Sequence, residues 1–432
     1  MRRLNTFKLL YGLVAGIVLA AIPTSAQTIK EAVYADFNRA GGVYYMYPFK
    51  DHKVSAPPKG YTPVYLSHYG RHGARYLLNE TQYERSVGVL DAAHKAGVLT
   101  EEGERVWAIA SEYYKNVCHN HFGDLSPLGW EQHIRVAREV YMDNRAFFRK
   151  RPEVRAGASQ TPRSIVSMAS FCQGLLKLDP RLDITQSADV YDMDEMCPHH
   201  DTNPWREVEK EEGYFKRKDP WGTDLKAFIE KRLDYRAIVA RLFKSPEFLK
   251  DFRGDRAFVL DFFNLVFNMQ CTPTESSLMD VFTPDEKYAL WEIDNYIYWV
   301  ANAPGSSLRD LPTLDHIVDD ADRALAAGKP AVRLRFGHDT VFLFLISAFG
   351  ADGFDIIPDN ADGISSTWYN FRSPMAATMY LLFCTNRSGD VIFKLVINGD
   401  EATLPLEPVS GPWYRWEDMK AKISISPARR RG

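Results

Sequence analysis

Residues 67–76 read SHYGRHGARY and set His72 between Arg71 and Arg75 at the end of an apolar run. That spacing suits a histidine that attacks phosphorus. A phosphate monoester carries about two negative charges near neutral pH. They repel an anionic nucleophile, whereas a neutral imidazole can approach once cations have gathered the oxygens. Guanidinium groups do this best, because each is planar, offers paired donors and stays charged. Residues 63–66 predict a strand leading into the segment. Gly70 and Gly73 would then allow a sharp turn that converges Arg71, His72 and Arg75 at the strand's carboxyl end. Open α/β sheets bind ligands in such crevices.

Two further stretches repeat the strand-to-helix pattern. Residues 336–340, FGHDT, follow the β-rich run 331–334 and precede the apolar run 341–349, which places His338 and Asp339 where a strand ends and a helix begins. The leaving alkoxide of an ester needs a proton, and Asp339 is the candidate donor, acting afterwards as base for water. Taken alone, an aspartate at a helix start is an ordinary cap. Residues 154–176 read VRAGASQTPRSIVSMASFCQGLL, a strand joined to a helix with Thr161 as N-cap and Pro162 at the first position. Ile165, Met168, Ala169, Cys172 and Leu176 share one face at helical spacing. Arg163 then stands in the first turn, where a cation opposes the helix dipole unless an anion is bound there.

Taken together, RHGAR, DLSPLGWEQH at 124–133, the 158–175 strand and helix, and GHD resemble the histidine phosphatase superfamily. The closer resemblance is to its acid phosphatase, phytase and multiple inositol polyphosphate phosphatase branch. The resemblance implies a phosphoglycerate-mutase-like α/β fold, a mixed sheet flanked by helices with an inserted, mainly helical cap. It implies a transient phosphohistidine at His72, phosphate clamping by Arg71, Arg75 and Arg163, a second pocket histidine at His338 and a proton donor at Asp339. Leu77 stands where a phytase motif often has proline, and His338, Asp339 and Thr340 where inositol polyphosphate phosphatases commonly carry HAE. The flanks RLRFGH and LISAFG, with residues 373–383 and 393–406, look most like the inositol phosphatases.

The organisation follows from the wide separation of these signals. With 432 residues, 45% hydrophobic and 13% aromatic, the chain can bury a large core and an accessory layer. The core is expected to be discontinuous, 27–180 and 311–432, with 181–310 as a helical cap that includes helices over 223–243 and 284–300. Strands are expected at 63–67, 154–158 and 331–336, and an antiparallel hairpin over 379–384 and 391–397 at the sheet margin. Trp205, Trp221 and Trp291 are expected to anchor the core.

Residues 1–26 look like a secretory signal: Arg2, Arg3 and Lys8, then an apolar run 9–22, then Thr24, Ser25 and Ala26. The apolar run is short for a membrane span, so a secreted or periplasmic protein without a stable membrane anchor is expected. Loss of those three cations takes the formal net charge from −3 to about −6, which argues against a nucleic-acid partner. The expected partners are small phosphate esters, inositol polyphosphates among them. The five cysteines allow at most two disulfides, and Cys172 is expected to be a buried thiol. Cys118, His119 and His121 with His199, His200 and Asp201 match no ordinary zinc spacing. Neither a metal nor another cofactor is expected for this chemistry. Three alternatives remain: an acid phosphatase of broad sugar-phosphate specificity, phosphoryl transfer or mutase action on the same pocket, and a phosphate-ester binding protein without turnover.

Overall fold

The computed structural model describes residues 28–200, 219–302 and 311–424. The expected signal segment, Trp205, Asp201 and the terminal arginines 429–431 lie outside the described residues.

The strands are β1 Thr62–Arg71, β2 Glu153–Ala158, β3 Ile184–Ser187, β4 Ala331–Gly337, β5 Thr378–Thr385, β6 Val391–Ile397, β7 Asp400–Glu401, β8 Pro408–Ser410 and β9 Trp413–Arg415. They form one sheet of order β3-β2-β4-β1-β5-β6-β9-β8, with β7 paired to β6. Strands β3, β2, β4 and β1 are parallel neighbours, and β5, β6, β9 and β8 continue the sheet antiparallel. It is the mixed, helix-flanked sheet expected.

Alternation along the strands gives the sheet two cores. Tyr65 and Tyr69 of β1 join Met379, Leu381 and Phe383 of β5 on one face. Leu66 of β1, Val332, Leu334 and Phe336 of β4, and Tyr380, Leu382 and Cys384 of β5 pack on the other. Arg333 and Arg335 therefore fall on the first face, where Glu195 and Asp320 meet them. These ion pairs tie the helices Met193–Met196 and Leu311–Ala327 to the sheet.

Several expectations are corrected. β1 runs on to Arg71, so Gly70 lies inside the strand, and neither Gly70 nor Gly73 has positive φ. The β5–β6 hairpin sits inside the sheet rather than at its margin, because β1 takes one side of β5 and β9 one side of β6. A single helix over 223–243 is instead two, Leu225–Arg232 and Tyr235–Leu242, since Asp234 caps the second by accepting from the Ala237 amide. The sheet also reaches past residue 180, for β3 pairs with β2. All five cysteines are free and buried, Cys172 among them.

Candidate active site

Three adjacent parallel strands end side by side and deliver the site. Register sets Arg71 opposite Gly337 and Ala158 opposite Phe336. The next residues, His72, His338 and Ser159, therefore emerge together at the carboxyl edge of the sheet, where α/β crevices bind ligands. The His72 amide donates to the Gly337 carbonyl at 3.0 Å, and the His72 and His338 rings lie 5.6 Å apart, edge to face. Two glycines are required by crowding rather than by φ. A Cβ on Gly73 would meet the Gly129 carbonyl oxygen at 2.6 Å, and one on Gly337 the Tyr69 hydroxyl at 2.1 Å. Through this contact the helix Pro127–Asp143 presses on the loop after β1. There Ser167 Oγ accepts from the Gly73 amide and Gln132 Oε1 from the Ala74 amide.

His72 is buried, and its Nδ1 lies 2.9 Å from the Gly73 carbonyl oxygen. Nδ1 therefore carries the proton, leaving the lone pair on Nε2. Burial, then Arg163, Arg71, Arg75 and His338, hold this imidazole well below its ordinary value, so it stays neutral. Arg71 is fully enclosed and donates through Nη1 to the carbonyls of Val43 at 2.5 Å and Ser373 at 2.7 Å. Among the described residues its Nε and Nη2 have no hydrogen-bond partner, and neither do the Nε atoms of Arg75 and Arg163. Arg75 is fixed through its backbone, by an antiparallel bridge to Leu125 and by Asn268, whose amide donates to the Arg75 carbonyl at 3.1 Å. Arg163 stands in the first turn of the helix Pro162–Leu178, and burial followed by the charge of Arg75 lowers it to about 10. Three guanidinium charges thus act on one buried imidazole.

His338 is the N-cap residue of the helix Asp339–Phe349 but makes no side-chain cap bond. Its Nε2 lies 3.0 Å from Ser159 Oγ and 3.5 Å from Thr161 Oγ1. Its backbone amide donates to the Tyr69 hydroxyl at 3.2 Å. Burial, then Arg163, His199, His200 and Arg71, also push His338 well below its ordinary value. The half-buried Asp339 carboxylate lies 3.5 Å from Arg71 Nη2 and accepts from the Tyr298 hydroxyl at 3.4 Å. Burial alone would raise it, but Arg71, Arg75, the Thr340 amide and Arg163 outweigh burial and hold it below the usual carboxylate range.

All six side chains singled out from the sequence thus gather at one place. Thr161 differs from its expected role: it occupies the N-cap position without a cap bond, and its hydroxyl donates to Ser164 Oγ at 2.9 Å beside His338. Leu77, where proline would lack an amide, donates that amide to the Tyr83 hydroxyl at 3.0 Å. The sequence reading missed Ser159, Tyr69 and Tyr298. Ser159 directly follows β2 and was open to the strand-end argument, whereas Tyr298 comes from a helix with no local motif. His200, 6.2 Å from His338 ring to ring and parallel to it, adds to the same wall. Among the described residues, no group of three His, Cys, Asp or Glu side chains is placed to hold a metal ion. No described helix is long and apolar enough to cross a membrane.

No protein-family model and no curated protein matches this chain. Its fold is shared with solved inositol polyphosphate phosphatases and phytases. Among solved structures it is similar to the multiple inositol polyphosphate phosphatase of Bifidobacterium longum in complex with inositol hexasulfate. The TM-score is 0.71 at 15% identity, over 90% of this chain and 98% of that one. It is similar also to the phytase from D. castellii, with TM-score 0.62 at 16% identity over 96% of this chain and 90% of the other. Hafnia alvei phytase, in complex with myo-inositol hexakis sulphate, gives 0.52 at 13% identity over 86% and 99%. At these identities the likeness is one of fold.

Proposed function

We propose that this chain is an exported phosphomonoesterase of the histidine acid phosphatase type, acting on phytate or other inositol polyphosphates. The observation that carries the reading is a buried imidazole on which three guanidinium charges act, four of their buried nitrogens having no hydrogen-bond partner among the described residues. Arg71, Arg75 and Arg163 gather the phosphate oxygens. His72 Nε2 attacks phosphorus, the P–O ester bond breaks, and Asp339 gives its proton to the leaving oxygen. Water then attacks the phosphohistidine while Asp339 takes a proton back, releasing orthophosphate. His338, held by Ser159, contributes to the phosphate pocket.

The low proton affinity of Asp339 fits this sequence of events. The arginines hold it ionised when the site is free, and a bound phosphate dianion offsets their field and restores its proton. The helical residues 219–302 reach the site through Tyr298 and Asn268 and are positioned to set substrate choice. Rapid mixing of the mature protein with 4-nitrophenyl phosphate tests the mechanism. A burst of nitrophenol matching the enzyme concentration is expected before steady phosphate release. Phytate should yield phosphate in the presence of a metal chelator. Absence of hydrolysis of every ester, together with phosphate-raised thermal stability, would instead support a binding protein.

A further inference from the structure

His338 has two ring nitrogens, and only one that bears a hydrogen can donate to a phosphate oxygen. A row of buried hydroxyls decides which. His338 Nε2 lies 3.0 Å from Ser159 Oγ and 3.5 Å from Thr161 Oγ1, and among the described residues these are the ring's hydrogen-bond partners. Ser159 Oγ lies 3.0 Å from Thr161 Oγ1, which donates to Ser164 Oγ at 2.9 Å. All four side chains are buried, Ser159 and Ser164 completely. The row is built by one short stretch of chain: Ser159 directly follows β2, Thr161 is the N-cap residue of the helix Pro162–Leu178, and Ser164 stands in its first turn beside Arg163.

A hydroxyl has one hydrogen to give, so the directions of these bonds follow from the far end of the row. Thr161 spends its hydrogen on Ser164, and Ser159 must therefore donate to Thr161. Ser159 then has none left for the ring, and His338 Nε2 must donate to Ser159. We propose that Ser159, Thr161 and Ser164 are positioning residues that fix the single hydrogen of neutral His338 on Nε2, so that Nδ1 can donate to a bound phosphate oxygen only after taking up a second proton. The inference rests on the phosphatase reading given above and deepens it, by making anion binding a proton-coupled step.

The charged and titratable groups about the ring are Arg71 and His72 at the carboxyl end of β1, Arg163, His199 and His200 beyond the helix Met193–Met196, and the chain neighbour Asp339. Burial and the cations keep the ring neutral in the free site. A phosphate dianion offsets the guanidinium charges, and the imidazole can then take a proton on Nδ1 and give a charge-assisted bond. That proton comes from solvent when the ester arrives as a dianion, and from the ester itself when it arrives as a monoanion. His72 is arranged the opposite way: its Nδ1 holds the hydrogen against the Gly73 carbonyl, and its Nε2 is left for phosphorus. The two histidines thus offer one phosphoryl group a lone pair and a proton.

The test uses inorganic sulfate, a tetrahedral dianion that does not titrate near neutral pH, and the full chain with isotope-labelled histidine nitrogens read by NMR. His338→Asn identifies the His338 signals. In the free protein Nε2 of His338 should bear hydrogen and Nδ1 should be bare, whereas saturating sulfate should place hydrogen on both. Ser159→Ala removes the acceptor at Nε2. Ser164→Ala, two hydroxyls away from the ring, lets Thr161 donate to Ser159 and Ser159 to Nε2. Either change lets the neutral ring carry its hydrogen on Nδ1, so sulfate should bind with about one proton fewer taken up, as calorimetry in buffers of different ionisation enthalpy reads. A merely structural role for these hydroxyls would leave that count unmoved. Hydrogen on Nδ1 in the free protein, a bare Nδ1 in the sulfate complex, or an uptake unchanged in either variant overturns the proposal. Should Ser159→Ala fail to fold, Ser164→Ala decides together with the spectra of the parent. Sulfate that perturbs no histidine of the site overturns the functional reading itself, whereas sulfate bound beside a neutral His338 overturns only the proton coupling.

Discussion

Five arginines lie around the carboxyl halves of β1, β2 and β4, and the protein treats them in two ways. Arg333 and Arg335, on one face of β4, are matched with carboxylates. Arg333 Nη2 lies 2.6 Å from Glu195, while Arg335 Nε lies 3.3 Å from Glu195 and its Nη2 bonds Asp320. Among the described residues, Arg71, Arg75 and Arg163 have one carboxylate among them, Asp339, 3.5 Å from Arg71 and under the charge of the other two. Buried charge without a partner costs stability, and β4 shows that this chain supplies counter-charge where a cation is structural. The shortage of negative charge is thus local to the strand ends, around His72, where an anionic ligand would relieve it.

The contrast breaks most visibly if His72, at the centre of the unmatched set, is dispensable. His72→Ala should lower kcat on the order of 10⁴-fold for alkyl and aryl esters alike and abolish phosphoenzyme, with folding intact by circular dichroism. Burst turnover persisting in this variant would remove the nucleophile assignment. In the matched set the loss should appear as stability instead. Asp320→Asn strips Arg335 of a charge partner and should cost about 3–5 kcal/mol in urea unfolding, with KM unmoved in the folded fraction. A cost below about 1 kcal/mol, the range of an exposed pair, would erase the distinction between the two sets.

Arg163→Met sharpens the contrast, because function and stability should move in opposite directions. Loss of charge-assisted bonds worth about 1.5–3 kcal/mol predicts a fall of about 10- to 150-fold in kcat/KM. Without ligand the variant should be as stable as the parent, or up to about 1 kcal/mol more so, since like-charge repulsion is relieved. Phosphate at 100 times its Kd should protect the parent by about 2.7 kcal/mol and the variant by much less, as thermal melting would show. A variant destabilised as much as Asp320→Asn would place Arg163 among the structural arginines.

The six site residues were legible because the turn chemistry that holds each one is local. RHG and GHD directly follow apolar runs, and Arg163 follows a Thr-Pro helix start. What brings them together is not local. The pairing of β1 with β4 joins residues 65–71 to 331–337, and only adjacent strand ends make Arg71, His338 and Asp339 neighbours. The same non-locality hid the place of the β5–β6 hairpin, since β5 must fill the second side of β1. Gly70 misled because glycine was read as a turn, whereas here it stays extended beneath the His68 ring, 2.8 Å from where a Cβ would sit. Tyr298 left no mark, because a helix crossing the site carries its contacts on a face whose periodicity reads only as burial.

The smallest expected effect separates the two reasons for the neutrality of His72. His68 and His133 are also buried and are both lowered to about 3, His133 by burial and His68 by burial together with the charges of His133 and Arg335. The ring of His133 packs edge-on against Phe171 and Phe336. A histidine held neutral in the folded state contributes stability that is present above the unfolded value near 6.5 and is lost as pH falls toward the folded one. His52, raised by Asp143 against the effect of burial, acts in the opposite sense. The unfolding free energy should therefore decline from about pH 6.5 downward, before the carboxylates titrate. His133→Leu should recover about 1–2 kcal/mol of that decline at pH 5 relative to pH 7.5. Saturating phosphate should not, because it screens the arginines around His72 but leaves the burial of His133 unchanged. If phosphate flattened the pH profile as much as His133→Leu does, the arginine field rather than burial would be what keeps these imidazoles uncharged.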